Sequence, residues 1–144
     1  MIRRFSLCTR RVSTGWAKSV MREVTLQVES NVNAPAVSRS RISSMRNSLE
    51  PRCDDVLLLV SELVTNSVRH ARSCDIDVSV RAMDGRIRVE VSDDGPGFTH
   101  DAPRGEGLGL SIVERLADEW GIDPGERFTV WAELSRDLGS AQSL

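Results

Sequence analysis

The chain has 144 residues, of which 40% are hydrophobic and 28% charged. That is the balance of one ordinary globular domain able to bury a core, and no apolar run approaches the length of a membrane span. Six of the 19 basic residues and none of the 21 acidic ones fall within residues 1–22, so the remainder carries about −8, which speaks against direct nucleic-acid binding. The cysteines Cys8, Cys53 and Cys74 are odd in number and show no C-x-x-C spacing. They are expected as free thiols in a reducing, cytoplasmic setting and not as a disulfide framework or a zinc site.

Residues 1–22 show no convincing periodicity. They are read as a disordered basic extension, or as residues ahead of a true start at Met21, which stands just before the first strand-like segment. Val24-Thr25-Leu26-Gln27-Val28 alternates apolar and polar residues and predicts a strand. Asn33 is a candidate N-cap, and Ala34 and Pro35 open a predicted helix to about Leu49 with Val37, Ile42, Met45 and Leu49 on its apolar face. A second helix is predicted from about Pro51 to Ala71, with Asp54 and Asp55 at the positive end of its dipole. On a helical wheel Val56, Val60, Leu63, Val64, Ser67 and Ala71 form a core stripe. Glu62, Asn66 and Arg69 fall on the other side, within two turns of one another. A carboxylate, an amide and a guanidinium there can supply a proton acceptor, an oxygen ligand for a hard cation and a phosphate partner. For a lone helix, a solvated polar face is the plain alternative.

Ile76, Val78 and Val80 alternate as a strand, Asp84-Gly85 signals a hairpin turn, and Ile87, Val89 and Val91 alternate again. Asp93 continues that parity, which points a carboxylate at the buried face. Such burial costs several kcal/mol unless the group finds donors; a turn-forming Asp before Gly is the alternative. Asp93-Asp94-Gly95-Pro96-Gly97 then gives way to a short irregular lid over residues 98–106, with His100 read as a surface residue. Gly105-Glu106-Gly107-Leu108-Gly109-Leu110 leads into a predicted helix from Leu110 to Trp120, closed by Gly121. Glycines entering a helix N-terminus suit an anion. The spacing is not G-x-G-x-x-G and no Walker lysine follows, which excludes a dinucleotide fingerprint and a P-loop. Phe128–Leu134 predicts a last strand, and residues 136–144 are a polar tail. One domain is therefore expected over residues 23–135.

Taken in order, Glu62-x-x-x-Asn66, Asp93-x-Gly95-x-Gly97 and Gly105-x-Gly107-Leu108-Gly109-Leu110 resemble the N, G1 and G2 boxes of the Bergerat-fold (GHKL) ATP-binding superfamily, over about residues 24–134. The resemblance implies an α/β (α+β) two-layer sandwich, a mixed and mostly antiparallel sheet with helices on one face. Topoisomerases and MutL-type proteins need a transducer domain, for which this chain leaves no room. Histidine kinases need a phosphoacceptor histidine on a dimerisation helix, and only His70 and His100 are present. The compact form resembles the bacterial anti-sigma factor serine/threonine kinases of the short actinobacterial type. Ser61-Glu62-Leu63-Val64-Thr65-Asn66-Ser67-Val68-Arg69-His70-Ala71 and Thr129-Val130-Trp131-Ala132-Glu133-Leu134 carry that likeness.

By this resemblance Asp93 accepts a hydrogen bond from adenine, Gly95 and Gly97 let the backbone approach the nucleotide, and Asn66 holds Mg²⁺. Glu62 is the catalytic base, Arg69 balances triphosphate charge, and His70 covers the ribose or the triphosphate. Gly105, Gly107 and Gly109 line the phosphates, with Leu108 and Leu110 anchoring the following helix. Thr129 resembles a threonine near adenine, although its parity groups it with Trp131 and Glu133. The implied cofactors are ATP and Mg²⁺. The implied activity is phosphorylation of a STAS-domain anti-anti-sigma protein, coupled to sequestration of a sigma factor, with a homodimer able to form through the open sheet face or the first helix. The alternative is a non-catalytic, nucleotide-gated interaction module.

Overall fold

The computed structural model describes residues 2–11, 20–70, 75–95 and 110–136, with side chains from residue 22 onward. Its strands are β1 (Ile2–Arg11), β2 (Val20–Glu29), β3 (Asp75–Met83), β4 (Arg86–Asp93), β5 (Glu119–Pro124) and β6 (Phe128–Ser135). Its α-helices are α1 (Ala34–Ile42), α2 (Arg46–Leu49), α3 (Cys53–His70) and α4 (Leu110–Leu116). The six strands form one sheet in the order β1-β2-β3-β4-β6-β5. Every described pairing is antiparallel, so the sheet is simpler than the mixed one expected.

Period-2 alternation builds two unlike faces. Val24, Leu26 and Val28 of β2 lie level with Ile76, Val78 and Val80 of β3, then Ile87, Val89 and Val91 of β4, then Val130, Ala132 and Leu134 of β6, and all are buried. Over them lies α3, with Val56, Leu59, Val60, Leu63 and Val64 buried. Each such side chain contributes roughly 1.5–3 kcal/mol by leaving water. The opposite face is a polar lattice. Arg81 pairs with Glu23 at 2.8 Å, and Gln27 donates to Asp77. Arg88 reaches Glu90 and Glu133 at 2.6 Å each and stacks over Trp131 at 4.5 Å. Burial opposes the charge on Arg88, but the hydrogen bonds to Glu90 and Glu133 outweigh it and raise its pKa.

Four expectations need correction. Residues 2–11 form an edge strand on β2 in place of an extension without structure. Edge pairing uses backbone N–H and C=O groups that any residue supplies, so it needs no apolar pattern. The helix from Ala34 is broken by a 3₁₀ turn at Ser43–Met45 before α2 resumes, and Ser43 and Ser44 hydroxyls bond back to the carbonyls of Ser40 and Arg41. Asn33 does occupy the N-cap but makes no side-chain cap; Asn31 Oδ1 accepts its N–H instead.

The fourth is the largest. The predicted helix Leu110–Trp120 ends at Leu116, and Glu119–Pro124 is a strand on the edge of β6. Asp118 diverts the chain: its N–H donates to the Glu133 carbonyl and its Oδ2 accepts the Ser135 N–H. Gly121 is therefore a strand residue and not a helix cap. A Cβ there would lie 2.7 Å from Trp131 Cζ2, so glycine lets the indole cover the edge.

Two buried polar groups carry opposite energetic signs. Arg52, at 5% exposure, pairs with Asp55 at 2.8 Å and donates to the carbonyls of Ser135 and Leu116, tying the start of α3 to the ends of β6 and α4. Ser38 on α1 is fully buried and its hydroxyl has no partner among the described residues. Cys53, next to Arg52 in the sequence, is a buried free thiol whose pKa is raised by burial, in line with the expectation for it. In urea unfolding, Arg52→Ala is expected to lose about 3 kcal/mol, because the partly exposed Asp55 carboxylate and the Ser135 and Leu116 carbonyls lose the buried guanidinium that joins them. Ser38→Ala is expected to gain about 1 kcal/mol by removing an unsatisfied hydroxyl; a loss of that size would show that the hydroxyl is bonded in solution.

Candidate functional site

The inward parity of β4 carries through to its last residue. Asp93 is only 4% exposed, so the strand delivers a carboxylate to the helix side of the sheet as predicted. One donor that stabilises it is local: the Gly95 N–H donates to Asp93 Oδ1 at 2.7 Å. This bond orients the carboxylate and leaves its second oxygen uncommitted among the described residues. Gly95 itself sits hard against the end of α3. A Cβ at this position would lie 2.3 Å from the His70 carbonyl oxygen and 2.9 Å from Asp93 Oδ1, so no other residue fits without backbone movement.

The slot beside Asp93 is lined by Leu63, Asn66, Ser67 and His70 from α3, Val91 and Asp93 from β4, and Phe128 and Val130 from β6. Apolar walls with a few convergent polar groups are what a small-molecule site requires. Asn66 lies on the border of the α3 core stripe. It is 4% exposed, where the helical wheel placed it on the outer face. Glu62, one turn earlier, is half-buried, and its carboxylate engages no neighbour among the described residues. Arg69 and His70 have exposed side chains at the end of the helix. Leu110 is buried at the start of α4.

Thr129 is not brought to the slot. It lies on the polar face of the sheet, where its hydroxyl is 2.6 Å from that of Ser92, while its neighbours Phe128 and Val130 line the slot. This is the outcome its parity with Trp131 required. Gly97, Gly105, Gly107, Leu108 and Gly109 lie outside the described residues.

Sequence reasoning missed Phe128, and the residue that secures it. Arg127 pairs with Asp77 at 3.2 Å and donates to the carbonyls of Asp75 and Ser92, stapling the ends of β3 and β4 to the start of β6. The signal for Phe128 was available: it shares the parity of Val130, Ala132 and Leu134. No such pattern marks Arg127.

The donor set also bears on metal. Among the described residues no cluster of three His, Cys, Asp or Glu side chains could hold an ion unaided. An ion here would have to draw most of its oxygens from a ligand and water, which suits Mg²⁺, and the amide of Asn66 is of the right hard-oxygen chemistry. No helix among the described residues is long and apolar enough to cross a membrane.

Residues 53–140 match the family model described as histidine kinase-, DNA gyrase B-, and HSP90-like ATPase. The chain is 28% identical over 120 residues to a serine-protein kinase RsbW of Listeria innocua, covering 67% of this chain and 76% of that protein. It is 30% identical over 87 residues to RsbW of Staphylococcus epidermidis, covering 46% and 55% respectively. Among solved structures, the RsbU and RsbW domains of Rv1364c from Mycobacterium tuberculosis superpose with a TM-score of 0.60 at 21% identity, over 78% of this chain and 31% of that one. The Acinetobacter baumannii histidine kinase AdeS gives 0.50 at 12% identity, over 78% of this chain and 68% of that one. The two structures share the fold, and the family model spans more than half of the sequence. The chain belongs to the histidine kinase-, DNA gyrase B- and HSP90-like ATPase family.

Proposed function

We propose that this protein is a Mg-ATP-dependent serine/threonine protein kinase of the anti-sigma factor type. It phosphorylates a hydroxyl on a STAS-domain anti-anti-sigma protein in the cytoplasm, and holds a sigma factor when that antagonist is phosphorylated. The observation that carries this reading is the juxtaposition, in one slot, of the oriented Asp93 carboxylate and the buried Asn66, with an uncommitted Glu62 one turn along α3. The similarity to serine-protein kinases RsbW supports the same reading.

Each residue then has a task. Asp93, held by the Gly95 N–H, accepts the exocyclic amino proton of adenine with its second oxygen. Val91, Phe128, Val130 and Leu63 supply apolar contact to the base. The slot encloses about 10 Å³, room for one water, so the base enters as the side chains at its mouth, His70 and Phe128, move aside. Asn66 would ligate Mg²⁺; the ion, when bound, neutralises developing phosphate charge. Arg69 and His70 stand at the exposed end of α3, where they can meet the triphosphate or ribose. From the sequence pattern, Gly105, Gly107 and Gly109 are assigned to the phosphates and Gly97 to close backbone approach to the nucleotide.

Glu62 accepts the proton of the incoming hydroxyl. The hydroxyl oxygen bonds to the γ-phosphorus as the bond to the β,γ-bridging oxygen breaks, and ADP leaves. The added phosphate gives the partner roughly −1.5 to −2 charge, enough to expel it from a complementary surface.

The test mixes the full chain and Mg-ATP with candidate STAS-domain proteins and reads phosphoserine or phosphothreonine by mass spectrometry. Glu62→Ala is expected to lower the transfer rate by about 10²–10⁴ while leaving ATP affinity within about threefold, the mark of a group acting on the proton and not on binding. Transfer that persists in Glu62→Ala would remove the base assignment. ATP binding without transfer to any partner would favour the nucleotide-gated module.

A further inference from the structure

At the end of the sheet remote from Asp93 there is a second cleft, of about 300 Å³. It is lined by Arg22 at the start of β2, Asn47 and Ser48 on α2, Ala82, Met83 and Asp84 at the β3–β4 turn, and Arg136 just beyond β6. Arg22 shares the parity of Val24, Leu26 and Val28 and pairs in register with Ala82, so β2 points a guanidinium toward the helix layer. It is the mirror of Asp93, a charged residue on the inward face at a strand end.

The charges in this cleft are not balanced from within. Arg46, Arg52, Arg81, Arg86, Arg88 and Arg127 each lie within ion-pair distance of a carboxylate. Arg22 makes no hydrogen bond or ion pair with the described residues. Among the described residues the Arg136 side chain reaches only the neutral carbonyls of Met83 and Glu50, at 3.5 and 3.4 Å, the outer limit of hydrogen bonding. Its Nε is buried and has no acceptor among the described residues. A buried donor on a cation costs free energy unless an acceptor arrives, and an anion supplies one.

We propose that this cleft is a second binding site, separate from the nucleotide slot, for a small phosphate-bearing anion. Two guanidiniums, the Asn47 amide and the Ser48 hydroxyl offer more donors than the two oxygens of a carboxylate can use, and they match the several terminal oxygens of a phosphate. Asp84 at the rim opposes multiply charged ligands and limits affinity. The assignment does not depend on Glu62 or on phosphate transfer.

Pyrophosphate titrated without Mg²⁺ into the ¹⁵N-labelled full chain tests it. Saturable shifts are expected at the backbone amides of Asn47, Ser48, Asp84 and Arg136. Arg22→Gln should weaken this binding by about tenfold. Because Arg22 holds no partner among the described residues, that change should leave the melting temperature unaltered. Asp84→Asn should tighten binding. Shifts confined to the surroundings of Asp93 and Gly95, or an Arg22→Gln chain that binds as the parent does, would overturn the site. Citrate binding the cleft as tightly as pyrophosphate would overturn its assignment to phosphate.

Discussion

The turn after β4 approaches the end of α3 so closely that a side chain at Gly95 has nowhere to go. That contact fixes three things at once. It sets the height of α3 above the sheet, through the His70 carbonyl. It orients the Asp93 carboxylate, through the Gly95 N–H. It also makes the slot between helix and sheet a product of backbone geometry more than of side-chain packing, and sites built on such rigid elements hold their groups to closer tolerance. A buried carboxylate that pointed into the core without this donor would be a liability of several kcal/mol.

The two faces of the sheet divide the labour. The helix side is apolar except at its ends, where Asp93 and Arg22 lie on the inward parity at opposite extremes. The far side is held by ion pairs and the Arg88–Trp131 stack, each worth little alone but sharing partners such as Glu133. Arg52 and Arg127 act across layers: one ties α3 to α4 and β6, the other ties β3 to β4 and β6. Both use backbone carbonyls as acceptors, which is why neither shows in a sequence pattern.

What was legible in the sequence follows from period. The β3–β4 hairpin, with Gly85 at φ 74°, and the inward Asp93 come straight from alternation and a turn signal. The long α3 comes from its apolar stripe. The course of β5 does not, because Trp120 and Ile122 suit a helical face as well as a strand edge. The choice was made by Asp118 bonding to Glu133 and Ser135, residues distant along the chain. β1 fails for a related reason, since pairing to the edge of β2 uses only backbone groups. Asn66 lay at the margin of the polar stripe, and a wheel cannot say that β4 and β6 would close over that margin. Thr129 shows the converse: its own parity set it on the far face, and the structure follows parity.

The central claim is that Asp93 reads the base of a nucleotide held in this slot. Calorimetric titration of the full chain with Mg-ATP and with Mg-GTP, repeated on Asp93→Asn, tests it most directly. Guanine presents a carbonyl where adenine presents an amino group, so the carboxylate would face an acceptor, and rejection should be strong. The account predicts saturable ATP binding, GTP binding at least about tenfold weaker, and loss of the preference in Asp93→Asn. Equal binding of the two nucleotides, or an Asp93→Asn chain that still prefers ATP, would contradict it.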